Sequence, residues 1–427
     1  MRVTGSLPVL SIQSVEALEI LDSRGNPTLS ALVTFSDGST GTAQVPSGAS
    51  TGKHEAVELR DADPARYRGK GVLKAVSNVR QVLGPGLIGK PVEDQASIDR
   101  WMIELDGTAD KSRLGANAIL GVSCAFARAL AAHKRMPLWA SLDFGVPPAM
   151  PLPMVNIISG GAHAGRRIEI QDFLIVPHGF DSMADRLEAV VACHHAAHDL
   201  LVQRGCHLTG VADEGGWGPE LPSNEAALEV LAEVITSLGL EGRASIAIDV
   251  AASHFLKDGI YLLHSEDRKL ERGEMIDLLA TWVDRYPVIS IEDGLGEDDW
   301  DGWITLTRRL GSRVRLIGDD LFTTNPHRVR RGIASGAANS VLVKMNQIGT
   351  LTETMEVARM AREAGYSLVI SARSGETEDS FLADFAVASG AGEIKIGSIT
   401  RSERLSKYNR LLEIEYGWKS GKTRPTL

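Results

Sequence analysis

Four short apolar runs that each end in a charged residue decide the fold: VISIE (288–292), VRLIGD (314–319), SVLVK (340–344) and SLVISAR (367–373). Their last residues come at intervals of 27, 25 and 29 positions, and a stretch that can be helical follows each run. Unbroken apolar strands that alternate with helices are typical of a parallel sheet covered by helices. Two further runs, ASIAID (244–249) and EIKIG (393–397), make six units, which favours a closed barrel over an open sheet.

The first part of the chain has a different pattern. The segments SVEALEIL, PTLSALVTF and STGTAQV, with a turn at 36–39, predict a three-stranded antiparallel meander. From Ala75 to about Arg135 the apolar residues recur at three- and four-residue spacing, which indicates helices. The segment FGVPPAMPLP (144–153) holds four prolines and is typical of a linker. We therefore expect an amino-terminal α+β domain over 1–147 and a barrel domain over 148–427.

Composition excludes several classes of protein. Of 427 residues, 43% are hydrophobic and 23% charged, and we find no apolar stretch of membrane-spanning length and no secretory signal pattern. A net charge of −10 without a long basic run argues against nucleic acid as a partner. Cys124, Cys193 and Cys206 lack ligand or CxxC spacing, which favours reduced and mostly buried thiols. We expect a cytoplasmic protein that binds neither membrane nor nucleic acid.

Three carboxylates end three different apolar runs: Asp249, Glu292 and Asp319. The carboxyl ends of barrel strands meet at one rim, so these side chains are expected to converge there. Oxygen-only anionic ligands suit a hard divalent ion such as Mg²⁺. Any one of the three could instead cap the following helix, but this alternative is weaker for all three together.

Two lysines end further runs at the same predicted rim. Burial and a nearby cation would lower the pKa of Lys344, so that its neutral amine can act as a base near neutral pH. Lys395 has the same placement, although a lysine that extends to solvent is an alternative reading of it. The loop PSGASTG (46–52) is rich in small residues and is consistent with closure over an anionic ligand, with Ser50 as a ligand of a second metal. Such loops more often only turn the chain.

Ten stretches together resemble the enolase family from end to end. They are LDSRGNPT (21–28), VPSGASTG (45–52), GANAILGVS (115–123), DEGG (213–216), IDVAAS (248–253), SIED (290–293), GDDL (318–321), VKMNQIGT (343–350), RSGETED (373–379) and RSERL (401–405). The resemblance implies an α/β fold: a modified (β/α)8 TIM-type barrel with an amino-terminal α+β lid domain. It also implies two Mg²⁺ ions, a phosphorylated or phosphonylated small carboxylic acid as substrate, and a homo-oligomer, either a dimer or an octamer.

The resemblance assigns a role to each matching residue. It implies that the α-proton of the substrate is removed and that hydroxide then leaves the neighbouring carbon. The residues carried over are Asp249, Glu292 and Asp319 for the first Mg²⁺, Ser50 for the second, Lys344 as base, Glu214 as general acid, Lys395 for the substrate carboxylate, and Arg373 with Ser374 for the phosphate.

The departures from the family pattern cluster at one end of the substrate. Asp172, in Gln171-Asp172-Phe173, stands where the family has Glu, and Ala372 stands where it has His. The family's Asn-Gly-Gly-Ser-His becomes SGGAH (159–163), which keeps His163. These positions would border the phosphate and hydroxymethyl end, whereas the metal and base positions are unchanged. A shorter carboxylate retracts its oxygens by roughly 1.5 Å, and misplacement by about 1 Å can cost on the order of a hundredfold in rate.

Three functions fit this pattern. The first is an enolase-derived enzyme whose phosphate end takes a different group, such as the family's enzyme of phosphonate pathways that forms carboxyphosphonoenolpyruvate. The second is ordinary enolase, which converts 2-phosphoglycerate to phosphoenolpyruvate. The third is a non-catalytic protein on the same scaffold, which the intact lysine and carboxylate set disfavours.

Overall fold

The computed structural model describes residues 9–48 and 52–421 and confirms the predicted meander. Strand β1 (Ile12–Leu21) pairs antiparallel with β2 (Pro27–Phe35), which pairs antiparallel with β3 (Thr40–Gln44). Gly41 allows a helix to lie directly on this sheet, because an added Cβ would be 2.1 Å from the carbonyl oxygen of Ala125. The sheet and that helix form the core of the lid domain.

Helices cover one face of the meander. They are α1 (Leu73–Asn78), α2 (Gly84–Leu87), α3 (Gln95–Asp106), α4 (Ala116–His133) and α5 (Leu138–Ser141), with a π-helical stretch (Val79–Leu83) between the first two. By length and composition α4 is apolar enough to cross a membrane, but most of it is buried within the protein. Its apolar surface packs on β2 and β3, as expected for the core helix of a small domain.

The second domain is a closed eight-stranded barrel in the order β4-β5-β6-β10-β11-β12-β13-β14, as predicted for the fold class. The strands from β4 onward are β4 (Leu152–Ser159), β5 (Asp172–Val176), β6 (Ser245–Asp249), β7 (Leu256–Lys257), β8 (Ile260–Leu263), β9 (Arg268–Leu270), β10 (Val288–Glu292), β11 (Arg315–Gly318), β12 (Ser340–Val343), β13 (Ser367–Ser371) and β14 (Glu393–Gly397). Strands β7 to β9 form a separate small sheet, and with the next helix they account for the longer interval between Asp249 and Glu292.

The six predicted runs pair in parallel, but the barrel also contains one reversed strand. β5 runs antiparallel to both β4 and β6, and neither β4 nor β5 was among the predicted runs. The connection from Gly160 to Gln171 contains a short 3-10 helix (Gly161–Ala164) but no α-helix that could return the chain to the start of the barrel. Since a parallel crossover needs such a helix, the chain reverses direction instead.

Helices surround the barrel. They are α6 (Met183–Gln203), α7 (Asn224–Ser237), α8 (Arg272–Arg285), α9 (Trp300–Leu310), α10 (Pro326–Ser335), α11 (Met345–Ile348), α12 (Leu351–Glu363), α13 (Phe381–Ser389) and α14 (Ser402–Ser420). An apolar cluster fills the barrel interior, with Met154, Leu174, Ile317 and Val369 among its buried members. Because the interior is filled, polar side chains that bind a ligand must lie at the rim.

Candidate active site

Two lysines and three carboxylates form a buried charged cluster at the carboxyl rim of the barrel. Asp249 and Glu292 end β6 and β10, Asp319 and Lys344 directly follow β11 and β12, and Lys395 lies within β14, two residues before its end. The Lys395 Nζ donates to Asp249 Oδ2 at 2.6 Å and to Glu292 Oε2 at 2.7 Å. The Lys344 Nζ donates to Asp319 Oδ2. The structure therefore brings together the five residues that the strand ends predict.

Burial and charge oppose one another in this cluster. Burial, followed by the charge of Asp249, raises the pKa of Glu292 well above its ordinary value. Burial disfavours the charged form of Lys395, but Asp249 and Glu292 outweigh it and raise its pKa. The pKa of Lys344 is also raised, because Asp319 outweighs burial. The expected depression of that pKa depends on a bound cation and stays a prediction; the ion pair with Asp319 was not part of that expectation.

Two glutamine amides hold the carboxylates of Asp249 and Asp319 in place. The Gln171 Nε2 donates to Asp249 Oδ2 at 3.0 Å, and the Gln347 Nε2 donates to Asp319 Oδ1 at 2.8 Å. The Gln171 Oε1 is buried, and no described residue donates to it. The substrate-binding role of Gln171 stays a prediction.

The carboxylates of this rim fit a divalent cation. The ligand atoms of Asp293, Asp319 and Asp320 lie within 4.8 Å of one another, and burial, followed by the charge of Asp319, raises the pKa of Asp320 to about 8. A bound cation removes this repulsion. The ligand atoms of the predicted set, Asp249, Glu292 and Asp319, do not all lie within that distance of one another, and Lys395 bridges the first two. The predicted ligand Ser50 lies outside the described residues.

The Asp293 carboxylate stabilises the backbone at this part of the rim. It accepts the backbone N–H groups of Asp319 at 3.0 Å and Asp320 at 2.8 Å. These two bonds hold the backbone after β11 and thereby fix the direction in which the side chains of Asp319 and Asp320 point.

A second polar network surrounds Asp172, which is fully buried at the start of β5. Its Oδ1 accepts from the Asn156 Nδ2 at 2.6 Å and from the Ser159 Oγ at 3.2 Å. The His163 Nδ1 lies 3.1 Å from its Oδ2, and the His163 Nε2 lies 3.8 Å from the Glu214 Oε1. The imidazole ring of His163 therefore lies between the carboxylates of Asp172 and Glu214, with one ring nitrogen facing each of them.

The network also sets the charge of its members. Burial lowers the pKa of His163, but the charges of Asp172 and Glu214 outweigh it and raise that pKa to about 9. Burial opposes ionisation of Glu214, yet His163 and Arg404 hold its pKa below the ordinary value. Burial raises the pKa of Asp172, while the charge of His163 acts in the opposite direction. A pKa of about 9 favours the protonated imidazole at neutral pH, between the carboxyl groups of Asp172 and Glu214.

Sequence reasoning missed Asn156 as a member of this network. It is a buried amide in the otherwise apolar run MVNII (154–158), and this isolated polar residue is the signal that could have identified it. Its Nδ2 also donates to the Ser159 Oγ at 2.8 Å, and its buried Oδ1 has no partner among the described residues. Asn156 therefore fixes the position of Asp172 and presents a further acceptor nearby.

The predicted anion-binding end is also buried. The Arg373 Nη1 donates to Glu55 Oε2 at 2.9 Å and to Asn346 Oδ1 at 3.0 Å, and its Nη2 donates to Glu55 Oε1 at 3.2 Å. Ala372 and Ser374 flank it and are 8% and 6% exposed. Glu55 comes from the lid domain and was not predicted as a site residue. Through Glu55, the lid domain thus supplies a negative charge that pairs with Arg373 at the rim.

Two family models match the chain. One is described as "Enolase, N-terminal domain" and covers residues 12–142. The other is described as "Enolase, C-terminal TIM barrel domain" and covers residues 147–422. Between them they span the meander, the lid helices and the whole barrel.

Proposed function

The chain belongs to the enolase family, and we propose that it is a Mg²⁺-dependent enzyme that forms an enolpyruvate-type product. Its substrate is a phosphoglycerate-like carboxylic acid bound by an altered pocket at the phosphate end. The candidate reaction is synthesis of carboxyphosphonoenolpyruvate in a phosphonate pathway. The assignment of the reaction class rests on the rim cluster, and the narrower assignment rests on Asp172 and Ala372.

In this proposal Lys344 removes the α-proton and Lys395 binds the substrate carboxylate. Asp249, Glu292 and Asp319 hold Mg²⁺, which neutralises these carboxylates and stabilises negative charge on the substrate. With the charge of Asp319 neutralised, burial and the positive charge of Arg373 both lower the pKa of Lys344. The lysine then becomes the base that the mechanism needs.

The position of Asp172 is the observation that carries the altered specificity. Asn156, Ser159 and His163 hold its carboxylate within the barrel wall, where it is fully buried. Glu214 retains slight exposure at 7% and contacts the opposite side of His163. In our proposal Glu214 is therefore the acid that faces the substrate, without a second carboxylate beside it. Because its pKa is held low, it takes the proton from the cationic His163.

The anion-binding end supports a group other than a simple phosphate. Ala372 offers a methyl group, with no side-chain donor, beside Arg373. Glu55 already takes two of the donors of Arg373. A phosphonate that carries a carboxylate is larger than phosphate, and the space left by a small side chain suits it. The assignment of a carboxyphosphonate group rests on analogy with the family, so it calls for a direct chemical test.

Ordinary enolase is the second candidate, and the contact between His163 and Glu214 favours it. The two residues are 3.8 Å apart and keep a protonated imidazole beside the proposed acid. Departure of hydroxide needs proton donation at this place. Glu214 with His163 would supply it without Asp172.

The test compares two reactions of the purified protein with Mg²⁺. With 2-phosphoglycerate alone, we expect slow formation of the enol product, followed by its absorbance. With 2-phosphoglycerate and a nucleotide-activated phosphonoformate, we expect a new phosphorus resonance of an enolpyruvyl phosphonate ester, together with release of one nucleoside monophosphate and one inorganic phosphate per ester. Rapid conversion of 2-phosphoglycerate without any such ester would make ordinary enolase the correct assignment.

A further inference from the structure

The loop that carries Glu214 follows α6 and forms a tight turn. In space this turn lies between β4 and the end of β14. The Ala212 N–H donates to Gly216 O at 2.7 Å, and the Gly215 N–H donates to Ala212 O at 2.9 Å. Gly215 has a φ of +92°, a conformation that residues with a side chain rarely adopt. The backbone of the turn thus determines where the Glu214 side chain points.

Two side chains bind the carbonyl that follows Glu214. The His194 Nε2 lies 3.2 Å from Gly215 O, and the Thr400 Oγ1 donates to the same oxygen at 2.8 Å. On the other side, the Ser398 N–H donates to Glu214 O at 2.8 Å. His194 reaches the turn from α6, whereas the other two donors follow the barrel strand β14. The turn is therefore held between a surrounding helix and the barrel.

His194 is itself fixed and neutral. It is 2% exposed, its ring lies 4.6 Å from the Trp217 ring at an angle of 33°, and the Trp217 Nε1 donates to its backbone oxygen at 2.9 Å. No described residue hydrogen-bonds to its buried Nδ1. A carbonyl only accepts, so Nε2 carries the proton. Burial lowers its pKa and outweighs the bond to Gly215 O, which raises it; the nearby His195 and His198 lower it slightly further.

We propose that His194 is a positioning residue that holds Glu214 against His163 through the Gly215 carbonyl. Without this donor, helix α6 no longer restrains the turn, and the Glu214 carboxylate moves away from His163. The inference depends on the position of Glu214 and not on the identity of the substrate. The catalytic consequence rests on the proposed role of Glu214 as acid.

The decisive measurement is the titration of His163 by NMR, which needs no substrate. At 3.8 Å the Glu214 carboxylate contributes to the raised pKa of His163. An outward movement of about 1 Å weakens that interaction enough to lower the pKa by about half a unit. We expect this shift in His194→Leu and expect His194→Gln, whose amide can donate to the carbonyl, to restore the parent value. The His163→Gln protein assigns the resonance.

The control is His198→Leu. Its ring also contacts Trp217, at 4.8 Å, but it makes no described bond to the turn, so the pKa of His163 should not change. Thr400→Val removes the second donor to the same carbonyl and should lower that pKa like His194→Leu, and it provides a second variant if His194→Leu unfolds. An unchanged pKa of His163 in folded His194→Leu protein would overturn the proposal, as would an unchanged pKa in Thr400→Val where His194→Leu does not fold, or an equal shift in His198→Leu.

Turnover supplies a second readout. With 2-phosphoglycerate, loss of positioning should slow enol formation roughly ten- to a hundredfold while α-proton exchange through Lys344 and KM stay near the parent values. A merely structural defect would lower exchange and product formation in the same proportion. That outcome would also overturn the positioning role.

Discussion

The carboxylate of Glu55 forms a two-point ion pair with the guanidinium of Arg373, with contacts of 2.9 and 3.2 Å. The first residue belongs to the lid domain and the second to the barrel rim, and both side chains are buried. If Arg373 binds the phosphate or phosphonate of the substrate, as the family resemblance implies, the carboxylate and the ligand compete for the same donors. In that case the Glu55 carboxylate reduces the positive charge that Arg373 offers to an anion.

The first prediction is that Glu55→Gln binds inorganic phosphate about tenfold more tightly than the parent, because a neutral amide replaces the competing charge. Isothermal titration calorimetry measures the affinity. Glu353→Gln is the matched control, since it breaks another lid-to-barrel ion pair, with Lys111 at 2.9 Å. Weaker phosphate binding by the Glu55 variant would mean that the carboxylate organises Arg373 for the anion instead of competing with it.

The second prediction concerns the metal. Asp319→Ala should weaken Mg²⁺ binding by at least about tenfold, because a hard cation loses one of its anionic ligands. Direct calorimetric titration with Mg²⁺ tests this without reference to activity. Asp298→Ala, at a half-exposed carboxylate nearby, should bind Mg²⁺ like the parent. Unchanged affinity in Asp319→Ala would remove this residue from the ligand set.

The third prediction concerns the base. Lys344→Ala should abolish exchange of the substrate's α-proton with solvent, since its neighbours Val343 and Met345 have no group that can replace an amine. Exchange of 2-phosphoglycerate in D2O, followed by NMR, measures this step separately from product formation. Lys53→Ala, at a largely exposed lysine of the lid, is the control for loss of a positive charge. Exchange at the parent rate in Lys344→Ala would assign the base elsewhere.

The fourth prediction is a pH dependence of stability through His163. Its pKa is raised in the folded protein from 6.5 to about 9 by Asp172 and Glu214, against the effect of burial. A raised pKa stabilises the fold fully below the unfolded value, and this contribution is lost as pH rises through 9. The loss is at most about 3–4 kcal/mol, because the rise from 6.5 to about 9 is worth roughly 1.36 kcal/mol per unit of pKa. Urea unfolding between pH 6 and 10 should show it in the parent but not in His163→Gln.

Much of this arrangement follows from the sequence alone. Apolar runs that end in Asp249, Glu292, Asp319 and Lys344 predict their convergence, because strand direction and spacing fix which ends meet at the rim. The reversed strand β5 could not be predicted in the same way, because its direction depends on a connection without a crossover helix.

Contacts between distant segments were equally hidden. The pair of Glu55 and Arg373 joins residues 318 positions apart, and the bond from His194 to the Gly215 carbonyl depends on where α6 packs. The ion pair of Lys344 with Asp319 was hidden for the same reason. The sequence predicts that the lysine lies at the rim, but only the fold places the Asp319 carboxylate beside its amine.

The last prediction is that the parent converts 2-phosphoglycerate poorly and that Asp172→Glu with Ala372→His raises this activity. A glutamate at position 172 is longer by one bond, so its carboxylate can extend past the donors of Asn156 and Ser159 toward Glu214. A histidine at position 372 adds a donor beside Arg373 for phosphate.

Hydrogen bonds to charged groups are worth about 1.5–3 kcal/mol, so each change can restore about ten- to a hundredfold in rate. The two residues face one predicted pocket, so their effects need not add, and both single variants belong in the assay. We expect the double variant to gain 2-phosphoglycerate turnover and to lose ester formation from activated phosphonoformate, since the imidazole fills the space that the larger group needs. Parent protein that already performs as an efficient enolase, with no gain in the double variant, would contradict this account of Asp172 and Ala372.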